Sequence, residues 1–311
     1  MRIILLGPQR RPTVDAAARS LGLSGPVATV TAGWREREPD DAELTAAVGG
    51  GAVNLALYRR WLDVQDRDPE YAAGERALAG RLADLQDLYL LRLDYAMQAV
   101  YAVQRRSAGS ALEEAVAAVR ELDAAHLRRV NQARLEFFER LPPHDRPVIA
   151  EHRAEVSAVL VEAAALVVAG GHVGALAEVL HLFNLAAALH STAGRTPVIA
   201  WSAGAMALTD RIVLFHDRAP QGPGHPEVYG SGLSLLRDVV LLPHARARLR
   251  LDDAARMAVF ARRFGPARCV LLESGTRIDC ADGGSGGPGG GWPAGVRVIG
   301  DDGHVTARAA A

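Results

Sequence analysis

Pro197-Val198-Ile199-Ala200-Trp201-Ser202-Ala203-Gly204-Ala205-Met206 is the stretch on which the fold turns. An apolar run reaches Trp201, one serine follows, and small helix-compatible residues begin at once. That order predicts a buried strand, a sharp turn and a helix, with one side chain lifted above the sheet edge. Small residues flank the turn because the backbone there passes close to its neighbours. A serine at this point sits at a helix N-terminus, where free N–H groups and the helix dipole favour developing negative charge. The same pattern suits a serine that only caps a helix. What else the chain brings to that sheet edge decides between the two.

Similar apolar runs lie upstream and downstream. Arg2-Ile3-Ile4-Leu5-Leu6-Gly7 ends in Gly-Pro, a helical stretch follows over 14–21, and Val27-Ala28-Thr29-Val30-Thr31-Ala32-Gly33 is a second strand. Strand, helix, strand predicts parallel pairing through a right-handed crossover. Ala165-Leu166-Val167-Val168-Ala169-Gly170-Gly171 is a third run, followed by a helix from Val173 to about His190. Further strands are expected over 211–215, 239–242, 269–273 and 296–299, with a helix over 251–264. The alternation predicts an α/β three-layer sandwich with a mostly parallel sheet. The glycine-rich stretch 283–291 reads as a hairpin tip or surface loop, without the strand-then-helix context of a phosphate cradle.

Residues 53–154 have a different character. Leu78, Leu82, Leu85, Tyr89, Leu93, Ala96, Val100 and Val103 recur at three- and four-residue spacing. After a break at Ser107-Ala108-Gly109-Ser110 the pattern continues through Leu112, Val116, Val119, Leu122, Val130 and Phe137. This predicts a long antiparallel helical pair inserted between 1–52 and 155–311. Its roles are packing on the main domain, a lid, or a surface for homodimerisation.

Composition narrows the chemistry. Of 311 residues, 49% are apolar and the net charge is −1, which suits a folded core and gives no global basic excess for nucleic acid. All 35 Lys+Arg residues are Arg. A Schiff-base lysine and a phosphate-loop lysine are therefore both absent from this chain. Cys269 and Cys280 are too few for a disulfide framework, and neither stands in a strand–turn–helix context. His172, His181 and His190 recur at nine-residue spacing, which fits none of the short zinc-ligand spacings. No metal or cofactor is expected. Residues 1–6 are too short for a secretion signal, and the nearest candidate for a membrane span, 156–171, is interrupted by Glu162. The expected setting is cytoplasmic, without membrane partners.

A serine nucleophile needs a base and a group to orient that base. His244, in Leu242-Pro243-His244, ends one expected strand, and His216-Asp217 ends another. In a parallel sheet the C-terminal strand ends share one edge, so Ser202, Asp217 and His244 are expected at one rim. Gly170-Gly171 ends the strand before the elbow and offers backbone N–H groups free of a side chain. Gly171 and Ala203 are the oxyanion candidates. Arg246 is a substrate-binding candidate, because a guanidinium pairs with carboxylates.

These motifs together resemble peptidase family S51. The resemblance rests on Val168-Ala169-Gly170-Gly171-His172, then Ala200-Trp201-Ser202-Ala203-Gly204-Ala205-Met206-Ala207-Leu208, then His216-Asp217, then Leu242-Pro243-His244. It covers about 2–33 and 155–305 and leaves out the helical pair. It implies the class I glutamine amidotransferase-like fold and a serine-type peptidase cleaving small peptides or isopeptides of acidic-residue or β-aspartyl type. It further implies Ser202 as nucleophile, His244 as base and Asp217 as the orienting acid, with Glu273 as the alternative acid by likeness to the cyanophycinase-like branch. The resemblance also implies His172 as a second substrate-binding candidate. Two positions depart from the family: His172 stands where a polar amide is usual, and Ala200 where the elbow has glycine. Two further readings remain: a non-catalytic protein that binds a small ligand or partner through the same cleft, and an esterase of the α/β-hydrolase type.

Overall fold

The structure is a computed structural model that describes residues 1–9, 14–106, 109–192, 194–217, 224–280, 292–293 and 295–307. Its strands are β1 (Ile3–Leu6), β2 (Val27–Val30), β3 (Ala52–Asn54), β4 (Ala165–Val168), β5 (Val198–Trp201), β6 (Ile212–Leu214), β7 (Glu227–Gly230), β8 (Val239–Pro243), β9 (Arg268–Leu272), β10 (Arg277–Cys280), β11 (Arg297–Ile299) and β12 (Val305–Ala307). Its helices are α1 (Asp15–Ser20), α2 (Ala42–Ala47), α3 (Leu57–Arg67), α4 (Pro69–Arg106), α5 (Ser110–Arg140), α6 (Pro147–Glu162), α7 (Val173–Leu182), α8 (Leu185–Ser191), α9 (Ala203–Ala207), α10 (Ala245–Arg248) and α11 (Ala254–Phe264).

The main sheet has the order β10-β1-β5-β4-β2-β3. Every pair in it is parallel except β1 with β10. β1, β2, β4 and β5 are buried on both faces, which is why each reads as an unbroken apolar run. Alternate residues go to opposite faces, as strand pleating requires. Ile4, Leu6, Val27, Val167, Ile199 and Trp201 pack with α1 and α2, while Ile3, Leu5, Val30, Val168 and Ala200 join the larger core on the other side. Helix, sheet and helix form the expected three layers.

The remaining strands are not part of that sheet. β8 and β9 pair in parallel within a four-stranded sheet of order β12-β11-β9-β8, and β6 pairs with β7. His244 therefore reaches the elbow from a neighbouring sheet and not from the same one. The chain passes between the two sheets after β9, where the Gly7 N–H donates to Thr276 O (2.8 Å) and β10 then pairs with β1.

The helical pair is α4 and α5, joined through a break that includes residues 107–108, which lie outside the described residues. Leu78, Tyr89, Leu93, Met97 and Val100 face Leu112, Val116, Val119, Val130 and Phe137, and all belong to the same contiguous core as the α/β layers. The expected helix from Val173 breaks at Phe183-Asn184, where Asn184 takes a left-handed φ of 50°, and resumes as α8. Among the described residues no single helix is long and apolar enough to cross a membrane. The glycine-rich stretch 283–291 lies outside the described residues.

Candidate active site

The C-terminal ends of β1, β2, β4 and β5 lie along one edge of the parallel sheet, the edge where such sheets build their sites. A cavity of about 810 Å³ opens there. It is lined by Pro8 and Gln9 after β1, by Trp34, Arg37, Asp40 and Glu43 in the segment between β2 and β3, by Gly170 and Gly171 after β4, and by Ser202 after β5. His244 and Arg248 complete it from the end of β8.

Ser202 is the single residue between β5 and α9, and it takes φ 50° and ψ −120°. Positive φ is unfavourable for a residue with a Cβ, so the surroundings must hold it. Its N–H donates to Leu6 O of β1 (3.3 Å), and its carbonyl accepts from Met206 N–H (3.1 Å). Gly204 explains how the turn closes: a Cβ there would lie 2.4 Å from Val168 O and 2.6 Å from Ala169 O. The elbow helix thus rests directly on the backbone at the end of β4. Gly171 has φ +134°, and a Cβ on it would lie 2.4 Å from Gly33 O, the carbonyl that accepts the His172 N–H at 2.8 Å. Neither the Gly171 nor the Ala203 N–H has a hydrogen-bond partner among the described residues.

His244 also takes a left-handed backbone, φ 57° and ψ 31°, where β8 turns into α10. Its N–H is anchored on Leu272 O of β9 (3.2 Å). Its imidazole is exposed toward the cleft. Partial desolvation and then the Arg248 cation push its pKa below the ordinary histidine value, while the Glu273 carboxylate pulls the other way. The ring is accordingly neutral at pH 7 and able to accept a proton.

Glu273 follows β9 and accepts the Arg246 N–H on Oε1 (2.7 Å), so it caps the helix that begins beside His244. Asp217 is placed differently from expectation. It is 2% exposed, and its Oδ1 accepts from Arg256 Nη2 (2.6 Å) and its Oδ2 from the Arg250 N–H (3.1 Å). Its own N–H donates to Arg248 O (2.7 Å). The Asp217 carboxylate is engaged by a guanidinium and an amide, with no hydrogen bond to His244. Arg256 in turn donates to Tyr101 Oη of α4 (3.2 Å).

The two substrate-binding candidates do not line the cleft. The His172 Nδ1 accepts the Ala175 N–H (3.0 Å) and caps α7. Arg246 is exposed on α10, and Arg248 lines the cleft instead. Arg246, Arg248 and Arg250 alternate in the sequence as on a strand, but 245–248 is helical, and residues two apart on a helix lie on different sides. Trp34, Arg37, Asp40 and Glu43 carried no motif. Their only sequence signal is their position after a buried parallel strand. Cys269 and Cys280 are buried thiols pushed up to about 12 by desolvation, which leaves them protonated and inert.

A parallel α/β sheet with a strained serine on a strand-to-helix turn at its C-terminal edge is an arrangement that α/β hydrolases use to present a nucleophile. Residues 143–284, which hold β4 to β10 with the elbow and His244, match the model of Peptidase family S51. That match supports a peptidase or hydrolase function. A crystal structure of a peptidase from an acI-B1 Actinobacterium is similar at 12% identity and a TM-score of 0.47, covering 99% of this chain and 94% of that chain. No curated protein matches the sequence.

Proposed function

We propose that this chain is a serine peptidase that cleaves an amide bond in a small peptide or isopeptide of acidic-residue or β-aspartyl type. One observation carries the reading: Ser202, held at positive φ on the elbow, and His244, partly desolvated and neutral, line the same cleft. Ser202 Oγ attacks the carbonyl carbon while His244 takes its proton, and the same proton then passes to the leaving amine. Water repeats the sequence on the acyl-enzyme and releases the acid. The unpartnered N–H groups of Gly171 and Ala203 are suited to the oxyanion.

Glu273, whose charge acts on His244, is the better acid. Asp217 serves as a positioning residue: it grips the backbone of Arg248 and Arg250 at the far end of α10, and Arg256 neutralises it. The Arg248 guanidinium at the cleft favours a substrate carboxylate, whereas Arg37 there is already paired with Asp40. Ser202, His244 and Glu273 are not hydrogen-bonded to one another, which keeps a non-catalytic ligand-binding protein as the second reading; apo catalytic contacts often tighten only with substrate.

A fluorophosphonate probe decides between them. Covalent labelling is expected on the native protein, none on Ser202→Ala, and strongly reduced labelling on His244→Ala. Labelling that survives in Ser202→Ala overturns the assignment. Hydrolysis of a dipeptide and isopeptide library, with Ser202→Ala as blank, then identifies the bond.

A further inference from the structure

Helix α4 leaves an apolar stripe uncovered. Leu88, Leu91 and Tyr95 are 62%, 58% and 66% exposed, although the helix buries Tyr89, Leu93 and Met97 on its other side. Three- and four-residue spacing puts Leu88, Leu91 and Tyr95 on one face. Asp84 and Arg92 flank the stripe, both exposed, and neither has an ion-pair partner among the described residues.

The order of these residues is self-complementary. When two copies of one helix cross antiparallel at a given residue, positions equally far before and after it meet, and each contact occurs twice. About Leu88, Asp84 stands four residues before and Arg92 four residues after, so acid meets base. Leu88 meets itself on the axis. Asp84, Leu88 and Arg92 thus stand four residues apart on one exposed ridge, with opposite charges placed symmetrically about an apolar residue.

From this pattern we infer that the exposed face of α4 is the interface of a two-fold homodimer, with α4 packed antiparallel on α4 of a second copy and Leu88 on the axis. Burial of the leucines and Tyr95 supplies the attraction, and the reciprocal Asp84–Arg92 pairs fix direction and register. The inference is independent of the catalytic reading, since it uses no cleft residue.

Sedimentation of the full chain at micromolar concentration tests it. The native protein is expected at twice 33.0 kDa. Asp84→Arg alone puts like charges together at two places and is expected to weaken the dimer by about tenfold or more. Arg92→Asp alone is expected to do the same. The double variant Asp84→Arg/Arg92→Asp restores the pairing and the dimer. Leu88→Cys is expected to form an intermolecular disulfide under mild oxidation, because only a residue on the axis meets its own copy, and both native cysteines are buried. These side chains are exposed, so the thermal melt of each variant as a monomer checks that the fold is intact. A monomeric native protein, a double variant no stronger than the single ones, or a Leu88→Cys protein that fails to cross-link overturns the inference.

Discussion

Ser202 and His244 are both non-glycine residues at positive φ, 50° and 57°. Such backbones cost about 1–3 kcal/mol each and persist only where the surroundings impose them. Here the imposition is visible: Gly204 lets α9 sit on β4, and the His244 N–H is tied to β9. The electrostatics around His244 give a prediction of known sign. In the proposed reaction its neutral form is the base, so the rate of probe labelling is expected to rise with pH through an apparent pKa below the ordinary value of about 6.5 and then level off. Arg248→Gln removes the cation that depresses this pKa, so the acid limb moves to higher pH. Glu273→Gln removes the opposing anion, so the limb moves lower. Labelling rates across pH 4–9 check both directions; a limb that ignores Arg248 would separate this residue from the base.

At the scale of elements, α3 and α4 share a buried carboxyl. Oε2 of Glu75 accepts from Trp61 Nε1 (2.9 Å) and Gln65 Nε2 (2.6 Å). Burial, and then the charge of Glu178, push its pKa up to about 7. A carboxyl whose folded pKa lies above its unfolded value holds its proton more tightly when folded. Its stability contribution is full below about 4.5 and declines as pH rises toward 7. Glu75→Gln keeps the two accepted hydrogen bonds on oxygen and cannot ionise. The variant is expected to be the more stable protein at pH 8, by up to about 3 kcal/mol, with little advantage at pH 4. Urea unfolding at the two pH values measures this. A constant difference between variant and native protein would assign the effect to packing.

For the whole molecule, one polar cluster joins the helical pair to the α/β layers. Asp123 of α5 receives Arg263 Nε on Oδ2 (2.8 Å), and Arg263 Nη2 (2.8 Å) and the Tyr89 hydroxyl (2.8 Å) on Oδ1. Arg263 of α11 also donates to Pro226 O (2.7 Å), and Tyr89 Oη accepts the Val228 N–H (3.1 Å). Arg263, Asp123 and Tyr89 are all buried. Removing one charge of a buried pair leaves the other uncompensated, so Asp123→Asn is expected to cost about 3–5 kcal/mol. Because the apolar core is continuous across the junction, native unfolding is expected to be a single transition by circular dichroism and by tryptophan fluorescence. A second set of contacts connects the helical pair to the site. Tyr101 of α4 braces Arg256, which holds Asp217, which in turn grips the end of α10 beyond His244.

The sequence by itself determined the elements and the elbow. Buried parallel strands must be continuous apolar runs, a close-packed turn must use small residues, and helix faces must repeat at three and four. Those constraints act between near neighbours and can be read at Val198–Trp201, at Gly204 and along Leu78, Tyr89, Leu93 and Val100. Strands β3, β7, β10 and β12 escaped, because they are only partly buried and so carry no unbroken apolar run. Tertiary structure alone decided that His244 comes from a second sheet, that Arg248 and not Arg246 faces the cleft, and that Asp217 belongs to Arg256. Partners of that kind are tens of residues apart in the chain. Their pairing is fixed by how the layers stack and by which buried charge finds a counter-charge, and no local pattern encodes either.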